Sequence, residues 1–168
     1  MVNAASGKID QTRLIFIHGL EGSSEGVKAK LLRESYPDIL IPDFRGSLDE
    51  RMAQLYTLLG DAPGWVMVGS SFGGLMAAIF ACQVPAQVDK LVLLAPALIW
   101  PDFANSPPDP ISVPVLLFHG RQDEIIPLEA VRSLAERVFL DLDMRVVDDD
   151  HGLYKTAHTI DWAEVLRV

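Results

Sequence analysis

The pentapeptide at residues 69–73, Gly-Ser-Ser-Phe-Gly, has the residue types of a serine nucleophile held in a tight turn. Apolar runs over residues 65–68 and 75–82 flank it, so we expect a strand before the turn and a helix after it. The two glycines let strand and helix approach closely, and the helix start offers unpaired N–H groups to the hydroxyl. The pattern predicts Ser71 as a nucleophile, with a plain turn in which Ser71 only caps the helix as the alternative.

A serine hydroxyl is a weak nucleophile, and it needs a general base that is oriented by a third group. Asp123 follows an apolar run over residues 115–118, and His151 follows another over residues 144–147. Because the carboxyl ends of parallel strands meet at one edge of a sheet, both side chains are expected on the same edge as Ser71. The order serine, acid, histidine then predicts the catalytic residues of acyl transfer.

Other residues compete for two of these roles. Four carboxylates are rival acids: Asp148, Asp149, Asp150 and Glu124. The three consecutive aspartates are expected to lie partly in solvent, which favours Asp123. His158 is a rival base, but it lies in a stretch with a helical pattern and does not directly follow a strand. His18 and His119 each end a predicted strand before a glycine and are expected to shape the site without reacting.

Acyl transfer also needs backbone N–H donors for the oxyanion of the tetrahedral intermediate. Phe72 supplies one such donor through its position after the nucleophile. The second is expected from the loop at residues 17–24, with Leu20 as the donor, because Gly19 and Gly22 let this backbone approach a substrate. A phosphate-binding loop is the alternative, but the segment lacks the lysine and the spacing that such a loop requires.

The elements that must position these residues alternate along the chain. Six short apolar runs are predicted strands: 14–17, 39–41, 65–68, 91–94, 115–118 and 144–147. Helical patterns lie between or after them: 27–33, 48–59, 75–82, 128–139 and a last short helix around 162–166. This alternation implies right-handed crossovers and predicts an α/β fold, a doubly wound three-layer sandwich.

Residues 97–114 interrupt this alternation with five prolines, so a surface loop without regular helix or central strand is predicted there. The loop contains Trp100 and Phe103. These aromatic side chains either line a substrate pocket beside Ser71 or only hold the loop against the body of the protein.

Five segments together resemble the motifs of the α/β-hydrolase family, in the family's order. Residues 18–20 look like its oxyanion loop, 42–46 like the turn after its next strand, 69–74 like its nucleophile elbow, 119–127 like its acid motif and 150–152 like its histidine loop. The resemblance implies parallel strands in the order 2-1-3-4-5-6. The chain has no antiparallel strands before residue 14 and no room for a cap, and it looks most like small intracellular esterases and thioesterase-like hydrolases.

Composition limits the remaining possibilities. The 168 residues fit one domain, residues 1–168, and the net charge of −9 makes nucleic acid a poor partner. One cysteine excludes an internal disulfide and suits a reducing, cytoplasmic location. Residues 1–11 lack the pattern of a secretory signal, and no apolar run approaches the roughly 18 residues of a membrane span.

The sequence therefore predicts a lidless serine hydrolase that cleaves small carboxylic esters or thioesters, with no metal or other cofactor. Its partner would be the small-molecule substrate, and its oligomeric state is left open. The alternative from another class is a non-catalytic protein of the same fold, acting as a ligand receptor or interaction module. A third possibility uses the same residues for perhydrolysis or for acyl transfer to an acceptor other than water.

Overall fold

The structure is a computed structural model, and it describes residues 9–168. A five-stranded parallel sheet of order β1-β2-β3-β4-β5 forms its centre. The strands are β1 (Leu14–Ile17), β2 (Trp65–Ser70), β3 (Val88–Leu94), β4 (Val115–Gly120) and β5 (Leu142–Val147). All four pairings are parallel, so the carboxyl ends of the strands lie along one edge, as predicted. Most of the segment in which no secretory signal was expected, residues 1–11, lies outside the described residues.

Seven helices flank the sheet in the described part of the chain. They are α1 (Val27–Ser35), α2 (Leu48–Leu59), α3 (Phe72–Gln83), α4 (Pro101–Ala104), α5 (Leu128–Val138), α6 (Tyr154–Thr159) and α7 (Trp162–Val165). Ser47 starts α2 with a capping box, in which its hydroxyl accepts from the Glu50 amide and the Glu50 carboxylate accepts from the Ser47 amide. None of the helices within residues 9–168 combines the length and apolar character that a bilayer crossing requires.

Two hydrophobic cores lie on opposite faces of the sheet and give the predicted three layers. Side chains alternate along each strand, so Ile15 and Ile17 enter the core under α2, α3 and α5, whereas Leu14 and Phe16 enter the core under α1, α6 and α7. Helix α3 is apolar on nearly all sides and largely buried. This burial fixes the start of α3, which carries Ser71, against β2.

The prediction of six strands is wrong by one. Residues 39–41 form no strand and contribute only a parallel bridge between Leu40 and Ile15. The Leu40 amide donates to the Leu14 carbonyl, and the Phe16 amide donates to the Leu40 carbonyl, each at 2.9 Å. Continuing this ladder would need an N–H group at residue 42, and Pro42 has none. The bridge lies on the far side of β1 from β2, so the predicted order is kept.

The prediction of a surface loop over residues 97–114 is wrong in part. Pro101 starts the four-residue helix α4, where a proline costs no hydrogen bond because the first amide of a helix has no partner. Leu98 and Phe103 are buried in the core on the α3 side. Ile111 forms a parallel bridge with Phe139. The prolines therefore shape a segment that packs against the protein.

Candidate active site

Ser71 occupies a strained turn between β2 and α3. Its φ of 54° lies in the left-handed region that non-glycine residues rarely adopt. The strain is held by backbone hydrogen bonds, because the Ser71 amide donates to the Leu94 carbonyl at 2.9 Å and its carbonyl accepts from the Ala97 amide at 3.0 Å. A Cβ on Gly69 would lie 2.5 Å from the Gly73 carbonyl oxygen, so the approach of strand and helix requires glycine there.

Ser71, His151 and Asp123 form a continuous hydrogen-bonded chain. The Ser71 Oγ lies 3.0 Å from His151 Nε2, and His151 Nδ1 lies 2.8 Å from Asp123 Oδ2. Because the carboxylate accepts a hydrogen bond from the Nδ1–H group, Nε2 is left as the acceptor for the serine hydroxyl. The structure thus brings together the three residues that the sequence assigned to acyl transfer.

Asp123 is held from both sides and is almost completely buried. Its Oδ1 accepts from the amides of Ile125 and Ile126 at 2.9 and 2.8 Å. Burial raises the pKa of Asp123, but the hydrogen bonds from Ile126, His151 and Ile125 outweigh burial and lower this pKa below its ordinary value. The carboxylate is therefore ionised at neutral pH and oriented toward His151.

His119 lies beside the same carboxylate but is fully buried. Its Nε2 donates to the Ile126 carbonyl at 3.0 Å and lies 3.4 Å from Asp123 Oδ2. Burial lowers the pKa of His119, so this imidazole is neutral. It packs under the acid loop, in the supporting position that the sequence predicted.

The rival acids and the rival base are turned away from His151. Asp148 bonds Gln122 and Lys155, and Asp149 accepts from the amide and hydroxyl of Thr156. Asp150 accepts from the Gly152 amide, and His158 bonds the Tyr154 carbonyl on the exposed side of α6. None of these groups, nor Glu124, hydrogen-bonds His151 in residues 9–168.

The loop after β1 lies next to the serine on its other side. A Cβ on Gly19 would lie 3.5 Å from Ser71 Cβ and 4.0 Å from Ser71 Oγ, which places the predicted donor loop within reach of a group bound to the hydroxyl. The amides of Leu20 and Phe72 donate to no acceptor in residues 9–168. Both are therefore free to bind an oxyanion.

Sequence reasoning missed Arg51, whereas it expected His18 to shape the site. His18 Nδ1 donates to the Gly19 carbonyl at 2.7 Å, and its Nε2 accepts from the Phe44 amide at 3.0 Å. Because Nε2 accepts from this amide, it donates no hydrogen bond to the Asp43 carboxylate, which lies 3.9 Å away. Arg51 bonds the carbonyls of Gly46 and Leu20. No spacing in the sequence distinguishes Arg51 from the other charged residues of α2.

Trp100 and Phe103 occupy different environments. The Trp100 ring is partly exposed and packs edge-on against the Phe72 ring, with 5.0 Å between centroids. Phe103 is buried and lines a cavity of about 500 Å³ between α2, α3 and α4, whose lining does not include Ser71. Cys82 lines the same cavity, and burial raises the pKa of its thiol to about 12, so it is no thiolate nucleophile at neutral pH.

The described residues contain no group of three or more histidine, cysteine, aspartate or glutamate side chains that could hold a metal ion.

Comparisons with known proteins agree with this architecture. A family model described as the alpha/beta hydrolase fold matches residues 46–112. No protein with a curated description matches the chain by sequence. Among solved structures, a protein from Xanthomonas campestris pv. campestris described as a hydrolase of the alpha/beta superfamily is 28% identical, with a TM-score of 0.73 over 91% of this chain and 95% of that chain.

Two further structures show the same fold at lower identity. The mouse alpha/beta hydrolase domain-containing protein 10 is 22% identical, with a TM-score of 0.71 over 86% of this chain and 84% of that one. A monoacylglycerol lipase from Paleococcus ferrophilus is 18% identical, with a TM-score of 0.67 over 91% and 93%. The chain has the α/β-hydrolase fold, in a small form without an evident cap among residues 9–168. The predicted α/β-hydrolase fold is confirmed, and the findings support a hydrolase activity in general.

Proposed function

We propose that this chain is a serine hydrolase that cleaves carboxylic esters or thioesters through an acyl-enzyme on Ser71. The observation that carries the proposal is the hydrogen-bonded chain from Ser71 Oγ through His151 to Asp123, at 3.0 and 2.8 Å. A nucleophile, a base and an orienting acid at these distances are the arrangement that acyl transfer requires.

In the first half of the reaction, His151 Nε2 takes the proton of the Ser71 hydroxyl while Oγ attacks the carbonyl carbon of the substrate. Asp123 holds the imidazole in the required tautomer and stabilises the imidazolium that forms. The amides of Leu20 and Phe72 bind the oxyanion of the tetrahedral intermediate. The C–O or C–S bond then breaks, and the imidazolium returns its proton to the leaving alcohol or thiol.

In the second half, a water molecule gives a proton to His151 and attacks the acyl-serine carbonyl. The second tetrahedral intermediate collapses with release of the carboxylic acid, and Ser71 regains its proton from His151. No step requires a metal or another cofactor.

The surroundings of the serine favour an apolar substrate in an open cleft. Nine large apolar side chains are exposed in residues 9–168, and six of them lie in the segments that follow β1, β3, β4 and β5: Leu20, Val27, Ile99, Trp100, Ile125 and Tyr154. Exposed apolar residues gathered around a site mark a binding surface. We propose Trp100 as a substrate contact, and Phe103, which lines the cavity between α2, α3 and α4, as a contact for an extended acyl chain.

We also propose that residues 1–168 act as one domain in the cytoplasm. The single cysteine and the lack of a disulfide framework suit a reducing compartment.

The proposal is tested by labelling with a fluorophosphonate and by hydrolysis of p-nitrophenyl esters and an acyl thioester. The wild type should become labelled on Ser71 and release acid from both substrate types, and Ser71→Ala should do neither, with a loss of about 10³-fold or more in kcat. A wild type that is neither labelled nor active is a receptor or interaction module. If Ser71 is labelled but an acyl product forms only when an acyl acceptor other than water is added, the protein is an acyltransferase and not a hydrolase.

A further inference from the structure

Arg51 is a buried guanidinium for which the proposed reaction has no direct use. Its residue is 6% exposed, and no carboxylate lies within 4.0 Å of it in the described part of the chain. A buried cation without a counter-ion costs stability, because the charge loses its hydration without a compensating partner. The cost of burying this charge indicates that the contacts of Arg51 have a role.

The contacts of Arg51 converge on the two segments that carry the free amides. Its Nη2 donates to the Leu20 carbonyl at 3.3 Å, and its Nε donates to the Gly46 carbonyl at 3.0 Å. The guanidinium carbon lies 5.5 Å from the centroid of the Phe72 ring, a cation–π distance. Nη1 has no acceptor in residues 9–168. One side chain thus touches both Leu20 and Phe72 and ties them to the turn before α2.

The contact with Leu20 constrains the direction of its amide. The Leu20 N–H belongs to the same planar peptide as the Gly19 carbonyl, which His18 and the Gly22 amide hold at 2.7 and 3.2 Å. Arg51 holds the next peptide through the Leu20 carbonyl. With both flanking peptides fixed, the two backbone dihedrals of Leu20 are fixed as well. Without Arg51, only the Gly19–Leu20 peptide would be held, and the rest of the exposed loop could shift and carry the Leu20 amide with it.

We propose that Arg51 is a positioning residue for the oxyanion hole, which sets the position of the Leu20 amide relative to the Phe72 amide through its contacts with both residues. This inference rests on the proposed function. Burial lowers the pKa of Arg51, but a guanidinium remains protonated at neutral pH, so its hydrogen bonds are permanent. Lysine carries its three donors on one nitrogen and has no planar fork, so it cannot reproduce the separate Nε and Nη2 contacts of Arg51.

The test compares kcat of Arg51→Met and Arg51→Lys with that of the wild type. Each kcat is divided by the concentration of reactive Ser71, which is determined by complete titration with a fluorophosphonate. Both variants should lose about 10- to 100-fold in kcat with little change in KM, because a displaced oxyanion donor weakens transition-state binding more than substrate binding. Arg33→Met is the matched control. Arg33 Nη2 donates to the Ser24 carbonyl of the same loop at 2.9 Å, and its removal should leave kcat unchanged.

Chemical rescue provides a second measurement. Guanidinium, added to Arg51→Ala below denaturing concentrations, should restore part of kcat, whereas methylammonium should not. If both Arg51→Met and Arg51→Lys keep the wild-type kcat, the positioning role is wrong, but the serine hydrolase activity is unaffected by that result. If Arg51→Lys alone is fully active, a positive charge is sufficient, and the proposed role of the guanidinium geometry is wrong. An inactive, unlabelled wild type would overturn both proposals.

Discussion

The site has two halves that are built differently. In the proposed acid–base half, after β4 and β5, the functional groups are the side chains of Asp123 and His151, and Asp123 is fixed by the amides of its own loop. In the proposed oxyanion half, after β1 and at the start of α3, the functional groups are backbone amides. His18 of the same loop and Arg51 of α2 hold the loop that carries the Leu20 amide. The side chain of Asp123 is thus held within its own loop, whereas the Leu20 amide depends in part on a side chain from another element.

Removal of the base should give the largest effect in the acid–base half. We expect His151→Ala to lower kcat by about 10³- to 10⁴-fold, because Ser71 then has no proton acceptor. His158→Ala is the control, since His158 bonds only the Tyr154 carbonyl on α6 and should leave kcat unchanged. Ester hydrolysis by both purified variants measures the difference. Comparable losses in the two variants would mean that the base has been assigned wrongly.

The hydrogen-bonded group in the acid–base half could be predicted from the sequence, because it consists of side chains of distinctive types. Ser71, Asp123 and His151 each follow an apolar run, and a parallel sheet brings the ends of such runs together. The oxyanion half could be predicted from the sequence only in part. Leu20 could be named from its glycines, but every residue has an amide, and the support from Arg51 depends on a contact across 31 positions of sequence.

The two errors in the predicted fold both arise at prolines. A three-residue apolar run predicted a strand at 39–41, but the missing amide of Pro42 stops the ladder after one bridge. The prolines of residues 97–114 predicted a loop, but one of them begins a helix and leaves Phe103 in the core. In both segments, the outcome depends on whether the structure needs an N–H group at the position of the proline, and this is known only in three dimensions.

Deletion of a single amide tests the oxyanion half. Leu20→Pro removes the N–H donor and should lower kcat by about 10²- to 10³-fold, the usual loss for one oxyanion donor. Leu20→Ala keeps the amide and removes only a half-exposed side chain, so it should retain most of kcat. Circular dichroism and labelling of Ser71 would show that both variants are folded. Equal activity of the two variants would exclude the Leu20 amide from the site.

The smallest expected effect concerns stability and belongs to the acid–base half alone. The pKa of Asp123 is lower in the folded protein than the value of about 3.9 for an exposed aspartate. As the pH falls through about 4, the unfolded chain therefore takes up a proton at Asp123 before the folded chain does, and the free energy of unfolding decreases. Asp123→Asn lacks this contribution, whereas the other carboxylates affect both proteins alike.

The free energy of unfolding of the wild type should consequently fall more steeply between pH 5 and pH 3 than that of Asp123→Asn. The excess slope is at most about 1.4 kcal/mol per pH unit, the value for one proton. Urea unfolding at a series of pH values measures it. Parallel curves would show that the carboxylate is not held in its ionised form by Ile125, Ile126 and His151. The local support that distinguishes the acid–base half from the oxyanion half would then be absent.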